Sequence, residues 1–279
     1  MYRLPERRMD WNDAYNNRGH IPDADSFPPR WAAEAAAFRA RAVEAGRARL
    51  DIPYGTHSRE RLDLFLPQGM AQGMVVFVHG GYWRAFGKSD WSHLAAGALA
   101  RGWAVAMPGY TLCPHIRVAG ITREIGTAIT AAARQLGGPI RLAGHSAGGH
   151  LVTRMQCQDA PLPDAVADRL AGVISISGVH DLRPLLHTAI NDDLRLDIAE
   201  AAAESPALLR PREDVALTCW VGAAERPEFR RQNALLANIW TGCGVATRAV
   251  EEPGRHHFNV IEGLTAPNSP LMEAVLGKV

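Results

Sequence analysis

Short, nearly unbroken apolar runs recur along the chain, separated by longer stretches with helical spacing. MVVFVHG (74–80), WAVAMPGY (103–110), IRLAG (140–144), GVISISG (172–178) and ALTCWVG (216–222) are continuous and bounded by glycines. RLDLFLP (61–67) alternates apolar with polar, and ATRAVEEP (246–253) is the last strand-like run. Continuous runs suit strands covered on both faces by helices. Helical patterns fall between them, at about 90–101, 116–136, 147–157 and 228–240. Strand and helix alternate, which predicts an α/β protein with a mostly parallel central sheet and helices on both faces. Residues 29–48 are rich in Ala, Arg and Glu, good helix formers. Pro28 and Pro29 mark the start of this leader helix and Gly46 its end. An irregular arm with Trp11, Tyr15 and Phe27 precedes it. Segment 181–214 breaks the alternation and holds Pro184, Pro206 and Pro211. It reads as a small lid-like insertion in a single domain spanning 1–279, with 1–50 as N-terminal arm and helix.

Composition narrows the class. The chain has 279 residues, 47% hydrophobic and 21% charged, an ordinary globular balance. That length buries a core without staples. The net charge is +1 and no Lys/Arg run occurs, which argues against nucleic acid as a partner. Cys113, Cys157, Cys219 and Cys243 are scattered, so neither a zinc ribbon nor a disulfide framework is expected. No apolar run approaches the roughly 18 residues of a membrane span. The opening MYRLPERRMDWNDAY lacks the apolar region of a signal peptide, so the expected location is the cytoplasm. The chain permits a homodimer, though its pattern marks no interface.

The strongest local signal is Gly144-His145-Ser146-Ala147-Gly148-Gly149-His150, between the strand IRLAG and the helical run HLVTRMQC. Gly-x-Ser-x-Gly at a strand-to-helix turn is a nucleophile elbow. The serine sits in a strained turn, and the flanking glycines remove side chains that would clash. The helix start directs positive potential at a developing oxyanion. His79-Gly80-Gly81-Tyr82-Trp83 follows the strand MVVFV. There a Gly-Gly loop can offer unobstructed N–H donors, joined by that of Ala147. His79 reads as a brace of this loop.

A serine needs a base. In this chain order the acid and then the histidine follow the serine. His256 and His257, after the last strand-like run, are both candidates for the base. The acid is expected after LTCWVG, and Glu225 is the first carboxylate there. Glu228 already lies in a helical first turn, where acidic residues are common for dipole reasons. Other features carry less chemistry. His145 and His150 lack HExxH spacing, although a zinc site from His79, His145, His150 and His257 is conceivable. Cys157 reads as a small buried hydrophobe, and Asp181 with Arg183 as an ion pair or cap.

Several motifs together resemble the kynurenine formamidase (arylformamidase) branch of the α/β-hydrolase superfamily. They are His79-Gly80-Gly81-Tyr82-Trp83, Gly144-His145-Ser146-Ala147-Gly148-Gly149-His150, His180-Asp181-Leu182-Arg183-Pro184-Leu185, Glu225-Arg226-Pro227-Glu228-Phe229 and His257-Phe258. Tyr110-Thr111-Leu112-Cys113-Pro114 also resembles a stretch of the hormone-sensitive-lipase group of esterases. The likeness covers roughly residues 50–265. It implies the α/β-hydrolase fold, with Ser146 as nucleophile and His257 as base, since the family's histidine precedes a phenylalanine. It places the acid at Glu225, where the family usually has aspartate, and the oxyanion hole at Gly80, Gly81 and Ala147. It implies a small-molecule substrate, an aryl formamide such as N-formyl-kynurenine or a simple ester.

The expected activity is therefore serine hydrolysis through an acyl-enzyme, with no metal or organic cofactor and no membrane partner. Tyr82 and Trp83 stand where lipase-group esterases carry a third glycine. With His145 they are the expected substrate contacts, the bulk of Tyr82 and Trp83 narrowing the acyl side and Trp83 stacking on an aromatic leaving group. The rival readings are a broad short-chain carboxylesterase, an inactive binding module on the same fold, and a zinc hydrolase.

Overall fold

The computed structural model describes residues 9–277. Residues 1–8, part of the expected arm and of the segment read against a signal peptide, lie outside the described residues. Eight strands form one sheet: β1 (Ala48–Pro53), β2 (Arg61–Phe65), β3 (Met74–Val78), β4 (Ala104–Pro108), β5 (Ile140–His145), β6 (Leu170–Ile176), β7 (Leu217–Gly222) and β8 (Thr247–Glu252). Their order is β1-β2-β4-β3-β5-β6-β7-β8. β2 runs antiparallel to both its neighbours, and β3 to β8 are mutually parallel.

The continuous apolar runs have the expected cause. β3 sends Met74, Val76 and Val78 into one core and Val75 and Phe77 into another, on the opposite face. Helices Val118–Ala133, Ala147–Gln156 and Pro227–Gly242 build the first core. Helices Phe27–Glu44, Ala96–Ala100 and Pro270–Leu276 build the second. The sheet is wound on both sides, as the alternation predicts.

The connection from β3 to β4 steps one way, and that from β4 to β5 crosses back over β3. Chains winding in opposite directions open a crevice at the carboxyl ends of the strands. The ends concerned are those of β3 and β5, which carry the Gly80-Gly81 loop and Ser146.

The structure differs from the expectation at the margins. The leader helix spans Phe27–Glu44, and the end of the stretch assigned to it joins β1 instead. β1 is mostly exposed, so no apolar run announced it; pairing with β2 holds it. The stretch 90–101 is two tight turns, Lys88–Asp90 and Ser92–Ala95, leading into helix Ala96–Ala100. Helix Pro270–Leu276 lies outside the predicted helical patterns; Ser269 caps it by accepting from Met272 N–H at 3.0 Å. Segment 181–214 forms the short helical pieces Arg183–His187, Asn191–Leu194, Ile198–Ala203 and Pro206–Leu208. Among the described residues no helix is long and apolar enough to cross a membrane.

Candidate active site

β5 ends at His145 and the next helix begins at Ala147, so Ser146 alone makes the turn. Its backbone has φ 56° and ψ −117°, which a non-glycine residue adopts only when its surroundings impose it. Those surroundings are tight. A Cβ on Gly148 would lie 2.0 Å from the Val78 carbonyl oxygen, because the helix start is pressed onto β3. A Cβ on Gly80 would lie 2.8 Å from the His145 carbonyl oxygen and 3.0 Å from the Ser146 Cβ. The loop after β3 therefore rests directly on the elbow. Ala147 opens its helix, so its N–H has no intrahelical acceptor. The N–H groups of Gly80 and Gly81 donate to no backbone carbonyl among the described residues.

Glu225 follows β7 in a turn closed by its N–H donating to the Gly222 carbonyl at 3.1 Å. The segment after β8 lies across this turn, with Ala224 N–H donating to the Arg255 carbonyl at 2.9 Å. That contact delivers His257. Its Nδ1 donates to Glu225 Oε2 at 2.6 Å, which sets the tautomer and leaves Nε2 as the remaining ring nitrogen. The other carboxylate oxygen accepts from Ser177 Oγ at 2.5 Å and from Gly222 N–H at 2.8 Å. Ser146 and His257 line one pocket but share no hydrogen bond among the described residues. Such contacts commonly tighten only when substrate binds.

The competing candidates are placed elsewhere. Glu228 accepts from Tyr15 Oη at 2.8 Å and is gripped by both Nε and a terminal nitrogen of Arg231 at 2.7 Å. His256 turns its ring edge-on to Phe27, with centroids 5.4 Å apart, and burial lowers its pKa. His79 stacks on Tyr110 and donates from Nδ1 to the Gly80 carbonyl at 2.7 Å. His150 donates from Nε2 to the Glu204 carbonyl at 2.6 Å. Of the four histidines of the conceivable zinc site, His79 and His150 are held by separate carbonyls, and no cluster of three potential metal ligands occurs among the described residues. Burial pushes the Cys157 thiol up to about 12, which leaves it a poor nucleophile. Asp181 and Arg183 form an ion pair at 2.8 Å.

Of the expected substrate contacts, Tyr82 and His145 line the pocket and Trp83 does not. Tyr82 and Trp83 both have positive φ, 49° and 57°, which turns the loop sharply. Tyr82 faces the pocket and donates its hydroxyl to the Tyr15 carbonyl at 2.6 Å. Trp83 is wholly buried against the His150 ring, so the stacking assigned to it is corrected. Trp31, Phe86, Trp91 and Phe258 supply the aromatic wall instead. His145 donates from Nε2 to the His257 carbonyl at 2.9 Å. Burial, aided by the neighbouring His257, holds its pKa well below the usual value, so it is a neutral brace. The pocket measures about 490 Å³, and the N-terminal arm forms one side of it.

Sequence reasoning missed Ser177. The available signal was a serine at the carboxyl end of a central strand, beside the strand that delivers the acid. Ser177→Ala removes one of three donors to the Glu225 carboxylate. A hydrogen bond to a charged group is worth about 1.5–3 kcal/mol, so about a tenfold or larger loss in kcat/KM is expected. The pH profile of kcat/KM should also shift. A lowered Tm with an unchanged profile would assign Ser177 to folding alone.

A family model described as the alpha/beta hydrolase family matches residues 75–269. A kynurenine formamidase of Danio rerio is 29% identical over 249 residues, which is 85% of this chain and 83% of that protein. The crystal structure of a Silicibacter sp. protein provisionally named a thioesterase is 50% identical with a TM-score of 0.91. The match covers 97% of this chain and 100% of that one. An esterase B of Lactobacillus rhamnosis, 19% identical over 90% of this chain and 92% of its own, has a TM-score of 0.64 and shares the fold.

Proposed function

This chain belongs to the alpha/beta hydrolase family, and from that premise we propose a serine hydrolase acting on an aryl formamide such as N-formyl-kynurenine, or on a small ester. One observation carries the reading. A strained serine at an elbow shares a 490 Å³ aromatic-walled pocket with a histidine whose Nδ1 is held by a buried glutamate.

In the proposed mechanism Ser146 Oγ attacks the substrate carbonyl while His257 Nε2 takes its proton. Glu225 holds the imidazole in the tautomer that leaves Nε2 as acceptor and stabilises the imidazolium. The N–H groups of Gly80, Gly81 and Ala147 surround the oxyanion. Loss of one such donor typically costs about 3 kcal/mol of transition-state stabilisation. His257 then protonates the leaving amine or alkoxide, and water, activated by the same histidine, releases the acid from Ser146. These steps call for no metal or organic cofactor. Tyr82, anchored by its hydroxyl, restricts the acyl side and favours a formyl or acetyl group. The aromatic wall receives the leaving group.

The Danio rerio relative supports the formamide, and the 50% identical protein supports a second reading. In that reading the chain is a short-chain esterase, with thioesters included. The test is hydrolysis of N-formyl-kynurenine, p-nitrophenyl acetate and an acetyl thioester side by side. Turnover of formyl-kynurenine with kcat/KM of about 10⁴ M⁻¹ s⁻¹ or more supports the formamide reading. Cleavage of the esters alone withdraws it. Failure of a fluorophosphonate to label the protein would leave an inactive binding module.

A further inference from the structure

Resting on the hydrolase reading of this pocket, we propose that its N-terminal-arm side is a carboxylate-recognition subsite. It selects aromatic substrates whose leaving group carries an anion. The pocket lining contains Arg18, Arg84, Asn12, Asn16 and Asn17 but neither an aspartate nor a glutamate.

The two outer asparagines each have the oxygen engaged and the NH₂ free to donate. Asn12 Oδ1 accepts from Ala189 N–H at 2.8 Å, and Asn16 Oδ1 accepts from Gly19 N–H at 3.0 Å. A backbone N–H can only donate, so each amide orientation is determined and the free group is the NH₂. Arg18 spends Nε, at 2.7 Å, and one terminal nitrogen, at 2.6 Å, on Asp25, which leaves its other terminal nitrogen. Arg84 spends one terminal nitrogen on Asp193 at 2.5 Å. Each guanidinium keeps further N–H donors, and neither partner carboxylate lines the pocket.

The arm is also fixed in place. The buried Tyr15 hydroxyl donates to Glu228 at 2.8 Å, the Tyr15 carbonyl receives the Tyr82 hydroxyl, and Arg226 pairs with Asp13. A donor-rich surface on an anchored arm, in the same pocket as an aromatic wall, matches a flat ring bearing a carboxylate, which accepts charge-assisted hydrogen bonds. A neutral group of the same shape leaves those donors to water.

The test uses two aryl acetates, 3-(4-acetoxyphenyl)propanoate and its primary amide, so that it does not depend on formamide cleavage. The full-length protein should favour the acid over the amide at least tenfold in kcat/KM at low salt. The preference should shrink as ionic strength rises. Arg18→Gln combined with Arg84→Gln should bring the ratio towards one, and Asn16→Asp should lower it independently. A ratio near one in the unmodified protein, or a ratio untouched by these variants, overturns the subsite. Absence of formyl-kynurenine turnover with the acid preference intact would overturn only the formamide reading. Should no ester be cleaved, calorimetric binding of 3-phenylpropanoate against 3-phenylpropanamide makes the same comparison without chemistry.

Discussion

Replacing Ser146 by alanine is expected to lower kcat/KM by on the order of 10⁴–10⁶-fold, because in the proposed mechanism the nucleophile and its base act as a unit. The fold should survive. The Ser146 side chain lines the open pocket, so removing its hydroxyl strands no buried group. Alanine keeps a Cβ in the same strained turn, so the backbone cost at φ 56° is unchanged. His257→Ala should cost a similar amount, and the double variant little more than either single one. Steady-state kinetics on whichever substrate turns over, with Tm measured in parallel, checks this. A Ser146→Ala protein retaining more than a few per cent of activity would move the nucleophile elsewhere. The small residual rate should come from the backbone donors, which the substitution leaves intact.

Stability should collapse between about pH 6.5 and 4, beginning above the pH at which most carboxylates protonate. Burial lowers His79 to about 4 and His150 and His180 to about 3. The unfolded chain binds protons at these histidines below about pH 6.5, whereas the native protein does not until their lowered pKa values are reached. Their contribution is therefore fully present above pH 6.5 and is lost as pH falls. Once the unfolded histidines are protonated, each removes about 1.4 kcal/mol per pH unit. Three together reach on the order of 10 kcal/mol by pH 4, comparable to the whole stability of about 5–15 kcal/mol of an ordinary domain. Burial is the main reason protonation is resisted; Arg154 beside His150, and His150 beside His180, add to it, while the hydrogen bond from His150 Nε2 to the Glu204 carbonyl works the other way. The His180 ring is buried between Thr153 and Ser175. Urea unfolding at pH 7, 5.5 and 4.5 tests the expectation. A free energy of unfolding that is flat down to pH 5 would show that these rings protonate freely in the native state.

Much of this molecule was legible before folding. The apolar runs mark strands because β3, β4, β5, β6 and β7 are buried on both faces, and that demand is met residue by residue along the chain. The elbow was legible for a similar reason. A serine held at φ 56° against β3 needs glycines a fixed step away, and those constraints span only Gly144 to Gly148. β1 escaped because it is an exposed edge, stabilised by its partner and not by its own apolar pattern.

The site's inner arrangement required the tertiary structure. Composition does not separate His256 from His257; the segment crossing the Glu225 turn does, sending one ring to the carboxylate and the neighbouring one to Phe27. Tyr82 and Trp83 are adjacent, yet two left-handed residues in succession turn one towards the pocket and the other into the core. Ser177 reaches Glu225 only because β6 and β7 are neighbours, and Tyr15 meets Glu228 across 213 residues of sequence. Periodicity and glycine spacing record what each short segment needs from its immediate surroundings. Which polar groups finally meet depends on how the closed chain brings distant segments together, and no local pattern carries that.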